Sequence, residues 1–162
     1  MQVALLGYRT VAPKVWEFRF QPEAAVEYVP GQYARFTFPF HITDTRGKQH
    51  RTFTLTSHPS EPELRFITRL EEPYSAYKHH LRLLKPGDTM LIDEPHGDAI
   101  LPRLATTPLV FAAQGIALAS YISMLMERER SELSRPITFL WARRSEDDRL
   151  ENLIPGEIPD FE

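Results

Sequence analysis

Apolar residues recur at every second position through the first two thirds of this chain and then gather into unbroken runs, so the pattern changes grammar partway along. Gln2–Thr10 and Lys14–Phe20 predict two strands around a Val-Ala-Pro turn. The second sets Trp16, Phe18 and Phe20 against Glu17 and Arg19, the alternation of a half-buried antiparallel sheet. Pro30-Gly31-Gln32 is a turn that launches a third strand, Tyr33–Phe38, ended by Pro39. The loop from His41 to His50 carries Asp44 and Arg46-Gly47-Lys48, the composition of a solvated hairpin end. Arg51–Ser57 is a fourth strand. Glu63–Leu70 is a fifth, with Leu64, Phe66 and Thr68 opposing Arg65, Ile67 and Arg69, and Thr89–Asp93 is a sixth. Between the last two, Tyr77, Leu81 and Leu84 fall at helical spacing. They predict a helix within Pro73–Leu84, with Ser75 near its N-cap and Lys85-Pro86-Gly87-Asp88 as its stop. Six short strands with one short helix predict a closed antiparallel Greek-key barrel.

Beyond Pro102 the apolar positions are contiguous. Leu109–Ala113 is a buried-type strand, Gln114-Gly115 a turn, Ala119–Leu133 a helix, and Ile137–Trp141 another apolar strand introduced by Pro136. Strand, glycine-containing turn, helix and strand form a parallel βαβ unit of the nucleotide-binding kind. The expected boundary lies in Leu101–Thr107, giving a barrel at 1–102 and a partial α/β domain at 103–162. Asp147–Leu153 can start a second helix, and Pro155–Glu162 reads as irregular and acidic. Leu109–Met126 has eighteen residues without a formal charge, near the minimum for a membrane span. Gln114, Gly115, Ser120 and Ser123 interrupt it, and the strand-then-helix reading accounts for it better.

Composition narrows the function. The 162 residues are 42% hydrophobic and 25% charged, values of an ordinary globular chain with room for a sizeable core. A net charge of −3 and a pI near 6.1 supply no basic field for nucleic acid. With no cysteine, disulfides, thiolate-bound zinc and a Cys-ligated iron–sulfur cluster on this chain are excluded. Any electron carrier is therefore organic or on a partner. Met1–Leu6 lacks a basic leader and runs straight into a strand pattern, so the expected location is cytoplasmic.

Candidate chemistry concentrates on Arg51-Thr52-Phe53-Thr54-Leu55-Thr56-Ser57. Its polar side is a ladder of Thr52, Thr54 and Thr56 with Ser57, behind the leading Arg51. Arginine offers a planar fork for phosphate, hydroxyls reach ring heteroatoms, and Phe53 offers a plane for stacking. An edge strand with solvated threonines explains the same pattern equally well. The Ser75 helix start is a second anion-binding feature. Asp93, Glu94, His96 and Asp98 are dense, but their spacing fits a capped turn rather than a metal site. His79-His80 reads as surface, Glu146-Asp147-Asp148 as a solvated helix start. Arg143 and Arg144, just past a parallel strand, either reach a cofactor phosphate or are solvated.

Taken together, Pro30-Gly31-Gln32-Tyr33, Arg51-Thr52-Phe53-Thr54 with Ser57, Tyr74-Ser75, Lys85-Pro86-Gly87-Asp88, and Phe111–Ile116 with Tyr121–Leu125 resemble the ferredoxin-NADP reductase superfamily in order and spacing. The resemblance runs from the first strand to Trp141-Ala142-Arg143-Arg144. It implies a flavin-binding barrel, a pyridine-nucleotide domain, FAD between them and NAD(P)H as electron donor. It implies Arg51 on the pyrophosphate, Phe53 packed on the flavin, and Thr54 at the redox-active ring nitrogen as the catalytic hydroxyl. Thr52 belongs to the same cofactor strand. Ile67, Thr68 and Arg69 match the strand whose backbone meets the flavin, Tyr74, Ser75 and Ala76 the phosphate-binding helix start, and Gly115 and Arg143 the nucleotide side. Electrons would pass to an acceptor protein or small molecule, with no nucleic acid and no membrane span involved. Three departures stand out. The nucleotide loop is commonly G-G-x-G-x-x-P, whereas Gln114, Gly115, Ala117 and Ser120 stand here; a glycine is missing near Glu72; and the family's closing Cys-Gly motif is not found before Glu162. The sequence is thus expected to be a fragment or to carry a reduced second domain, completed by a partner subunit or a missing C-terminal region. The alternative function is an FAD-binding electron-transfer module that does not itself use NAD(P)H.

Overall fold

The computed structural model describes residues 1–43, 49–104, 106–131, 136–143 and 150–155. Six antiparallel strands appear where the alternation predicts them: β1 Gln2–Ala12, β2 Val15–Pro22, β3 Tyr33–Thr37, β4 His50–Thr54, β5 Leu64–Arg69 and β6 Thr89–Ile92. They form one sheet in the order β4-β3-β6-β1-β2-β5, so β4 and β5 are its two ends. The sheet curls until those ends meet, and among the described residues they are joined through one backbone bond, Thr56 N–H to Arg65 O at 2.7 Å. Helix α1, Ala76–Leu83, lies between β5 and β6 in sequence, and Ser75 Oγ accepts the Lys78 N–H at 3.3 Å as its cap.

Inside the curl, interior positions of all six strands build an aromatic core. Phe66 of β5 is its hub, with Phe18, Phe20, Phe36 and Phe53 all within 5.7 Å of its ring centroid. Tyr77 of α1 is fully buried and donates to Phe36 O at 2.9 Å. That bond pins the helix to the sheet.

The contiguous apolar runs form β7, Leu109–Gln114, and β8, Ile137–Ala142, paired in parallel from Leu109↔Ile137 to Gln114↔Ala142. A 3-10 turn at Gly115–Leu118 leads into α2, Ala119–Arg130. Phe111 and Phe139 face α2, while Val110 and Leu140 on the other sheet face are 65% and 54% exposed. Glu151–Leu153 is a 3-10 turn in place of the second helix's end, and Asp44, Arg46-Gly47-Lys48, Arg144 and Glu146-Asp147-Asp148 lie outside the described residues. No described helix is long and apolar enough to cross a membrane.

A second apolar cluster joins this unit to the sheet, because Ala12, Val15 and Ile67 pack with Leu118, Ile122, Leu125 and Leu150. This corrects the expectation that one face of β2 and β5 meets solvent. Glu17 is buried there, and its carboxylate is satisfied by Arg9 Nε at 2.6 Å. The Pro30-Gly31 turn docks on α2, with Gly31 N–H donating to the buried Ser123 Oγ at 3.0 Å. Gly31 has φ +100°, and a Cβ there would sit 2.2 Å from Ala99 O and 2.1 Å from Met124 Cε. Gly31→Ala is expected to lower stability by about 2–4 kcal/mol through left-handed strain plus overpacking. Urea unfolding checks this, and an unchanged midpoint would show that the turn moves freely away from α2.

Candidate functional site

The site follows from how antiparallel ladders alternate. In such a pair, successive residues turn their N–H and C=O alternately toward and away from the partner strand. Leu55 N–H bonds to Gln32 O, which fixes the phase of β4 against β3. Thr52 and Thr54 then point their backbone groups away from β3. Leu70 N–H bonds to Lys14 O, which fixes β5 against β2 and turns the backbone groups of Ile67 and Arg69 away from β2. These two outward edges face each other across the junction of β4 and β5. The strands are zipped at Thr56 and Arg65 and no β4–β5 ladder continues past that point among the described residues. The stretch of junction past that point, edged by the outward main chain of Thr52, Thr54 and Ile67, is termed the slot.

A buried backbone donor or acceptor without a partner costs free energy comparable to a lost hydrogen bond. Outward main-chain groups on both strands suit a thin ligand whose rim carries both acceptors and donors. Its width is set from below by Phe53 of β4 and Phe66 of β5, whose rings stack at 4.0 Å between centroids and 3° between planes. The stack does across the junction what the missing ladder does elsewhere.

One end of the slot is cationic. Lys78 Nζ donates to Arg69 O at 2.7 Å, so the ammonium sits on the outward edge of β5. Burial, then Arg51, then Arg69, hold the Lys78 ammonium below its ordinary pKa, the mark of three cations gathered in one place. The Arg51 guanidinium lies 5.2 Å above the Tyr77 ring and donates to His50 O at 2.8 Å. Burial raises the Tyr77 phenol pKa far above its usual value, so it stays a neutral donor to Phe36. Ser75 Oγ, used as an acceptor by Lys78 N–H, keeps a hydroxyl proton to donate outward. The helix start, Tyr74 with Arg82 over its ring at 5.7 Å and Ala76, borders this end. A flat polar-rimmed head in the slot with an anionic tail at the cations is the ligand this donor set fits.

Several expected residues sit differently. Arg51 shares its strand face with Phe53 rather than with the threonines, because both are odd-numbered positions of one strand. Phe53 is a core residue, 9% exposed, with one ring face covered by Phe66 rather than open to a ligand. Thr56 is buried at 3% exposure. Ser57 is structural: its Oγ accepts Arg65 N–H at 3.0 Å and meets Tyr28 Oη at 2.9 Å, and burial pushes the Tyr28 phenol up to about 12. The hydroxyl ladder therefore shrinks to exposed Thr52 and half-buried Thr54. Thr68 falls on the β2-facing phase of β5 and its side chain is buried, so neither its backbone nor its hydroxyl borders the slot.

On the nucleotide side, Gly115 has φ +52° and its carbonyl accepts Trp141 Nε1–H at 3.0 Å. Arg143 donates to Glu151 at 2.8 Å and lies 5.5 Å over Trp141, a local pairing that competes with a phosphate. Asp93 accepts the Arg35 N–H of β3 at 2.7 Å, and His96 Nδ1 lies 2.9 Å from Glu94 O. His80 packs edge-on against Phe38 and Phe40. Sequence reasoning passed over Lys78, whose place one turn after the Ser75 cap was the available signal. It also passed over His58, which bridges Ser60 and Glu127 of α2 at 2.8 and 2.7 Å.

Comparison with known proteins gives a consistent set. No family model matches the chain. Flavohemoprotein A of Dictyostelium discoideum is 25% identical over 139 residues, covering 79% of this chain and 35% of that protein. A Ralstonia ferredoxin–NAD(P)(+) reductase component of naphthalene 1,2-dioxygenase/salicylate 5-hydroxylase systems is 28% identical over 123 residues, covering 76% of this chain and 35% of its own length. The chain thus spans about a third of the curated relatives it matches. Among solved structures, Plasmodium falciparum ferredoxin-NADP+ reductase superposes with TM-score 0.80 at 17% identity, covering 94% of this chain and 63% of that one. The flavohem-like FAD/NAD binding domain of Vibrio cholerae nitric oxide dioxygenase gives 0.77 at 20% identity, covering 94% and 68%.

Proposed function

We propose that this chain, whose fold and motif order are those of the ferredoxin-NADP reductase superfamily, is a flavoprotein oxidoreductase that passes electrons from NAD(P)H through FAD to an acceptor protein or small molecule. The observation that carries this reading is the unzipped junction of β4 and β5 with its cationic end. We divide the chain into a flavin-binding unit at 1–102 and a partial nucleotide-binding unit at 103–162, with a cytoplasmic location.

In this reading the backbone of Thr52, Thr54 and Ile67 holds the rim of the flavin ring, and the Thr54 hydroxyl approaches its reactive edge. Arg51, with Ser75 and Ala76 at the helix start, holds the pyrophosphate, and Arg69 and Tyr74 border it. Gly115 and Arg143 belong to the nucleotide side. Bound FAD would supply the capacity to take a hydride and release electrons; the protein orients it and excludes water. Arg51→Ala is expected to lower FAD affinity about tenfold or more, since charge-assisted phosphate contacts contribute roughly 1.5–3 kcal/mol. Flavin retained per mole of purified protein measures it, and wild-type occupancy in the variant would remove Arg51 from the site. Anaerobic bleaching of the flavin by NADH or NADPH tests the reductase activity itself.

One observation favours the second reading, an FAD-binding electron-transfer module supplied with electrons by a partner. Gln114 and Ala117 carry side chains in the turn where the family commonly has glycines. Reduced partner protein, rather than NAD(P)H, would then bleach the flavin.

A further inference from the structure

The Lys78 ammonium stands at the slot's cationic end for a reason that its bond to Arg69 O does not exhaust. An ammonium has three donors, and the Arg69 carbonyl takes one. The group is half-buried and lies close enough to Arg51 and Arg69 for both to disfavour its charged form. The chain leading into α1 cannot supply a main-chain cradle of the usual glycine-lined kind. It reads Glu71-Glu72-Pro73, where Pro73 has no N–H to donate and two carboxylates raise the local negative charge. Glu71 is drawn off by Lys14, its carboxylate 2.5 Å from the Lys14 ammonium, and Glu72 is exposed. His79, the next residue of α1, is exposed as well.

Resting on the flavin reading above, we propose that Lys78 is a phosphate-binding residue of the flavin site. It replaces, with a side-chain charge, the main-chain donors that a glycine-lined loop before the helix would give. Arg69 O positions it: the hydrogen bond holds the four-carbon stem across the end of β5, so that the other two donors face the anionic tail rather than bulk solvent. A lysine acts here as a point charge, so it should sense phosphate and be indifferent to the ring.

Binding of riboflavin, FMN and FAD to the full chain, followed by quenching of flavin fluorescence, tests this. Lys78→Met is expected to weaken FMN and FAD about tenfold and to leave riboflavin unchanged, and Lys78→Arg is expected to restore most of the loss. Circular dichroism and the thermal midpoint of Lys78→Met report whether it folds, and Lys78→Arg keeps the charge should the methionine variant not fold. Equal loss for all three flavins would overturn the proposal in favour of a purely structural bond to Arg69, and so would no loss for any. If the wild-type chain binds none of the three, the flavin reading itself falls and this inference with it. If it binds riboflavin as tightly as FAD, the flavin reading stands and the role of Lys78 does not.

Discussion

Replacing Phe66 with alanine is expected to cost about 3–5 kcal/mol, a large share of a total stability of roughly 5–15 kcal/mol, and to lower the unfolding midpoint sharply. Phe66 is fully buried and packs against four other phenylalanine rings, three of them stacked and Phe36 edge-on, so truncation removes its own transfer free energy and leaves a cavity that rigid aromatic neighbours fill poorly. The effect reaches the site directly. Phe53 and Phe66 belong to the two strands that edge the slot, and their parallel stack is what ties those strands where the ladder stops. Phe66→Leu keeps most of the volume but loses the planar contact, so it is expected to retain the fold while weakening flavin binding. Denaturant unfolding measured beside flavin affinity separates the two effects. If Phe66→Ala shifted the unfolding midpoint only slightly, the aromatic cluster would not be the core that the burial indicates. If Phe66→Leu bound flavin normally, the stack would not set the width of the slot.

The strands and both helices were legible because each carries a local signal: alternation in β1–β6, continuous apolar runs in β7 and β8, a serine cap and a Lys-Pro-Gly stop around α1. Strand ends moved by a residue or two at most of them. Face assignments failed where a second layer covers what alternation marks as the wet side. Glu17 and Ile67 are buried because α2 and its turn pack there, and a period-2 pattern holds no information about a partner fifty or more residues away. Polarity groups Arg51 with the threonines, but parity along the strand puts it on the face of Phe53. The opening between β4 and β5 is a property of pairing register, fixed by two bonds at Leu55 and Leu70, and no single residue type announces it. The family likeness points to Thr54, Ile67 and Ser75 without that geometry. It did not point to Lys78, whose place beside the end of β5 depends on how α1 sits against the sheet.

Reduction of the bound flavin by NADH or NADPH is expected to be slow in this 162-residue chain, on the order of a hundredfold below what an undistorted nucleotide site allows. In parallel α/β units the nucleotide binds past the carboxyl ends of the strands, against the turn into the following helix. Here those ends are Gln114 of β7 and Ala142 of β8, which pair with each other. The turn begins at Gly115, whose positive φ meets the need for a sharp bend, but its carbonyl is engaged by the Trp141 indole and the flanking Gln114 and Ala117 both carry Cβ atoms. Glycines at such positions let the pyrophosphate approach the main chain, and each added side chain holds it off by about the width of a methyl group or more. A displacement of about 1 Å at the pyrophosphate carries through to the nicotinamide, where misplacement of that size can cost on the order of a hundredfold in rate. Arg143, the cation past β8, is turned to Glu151 and cannot pull the phosphate back without giving up that ion pair. Gln114→Gly with Ala117→Gly should therefore speed reduction, while Glu151→Gln, by loosening Arg143, should tighten nucleotide binding without changing the flavin spectrum. Stopped-flow mixing of the flavin-loaded protein with saturating NADH and NADPH decides the matter. Rapid bleaching by the unaltered chain would show that Gln114 and Ala117 leave the nucleotide its path, and the reduced-partner route would lose its support.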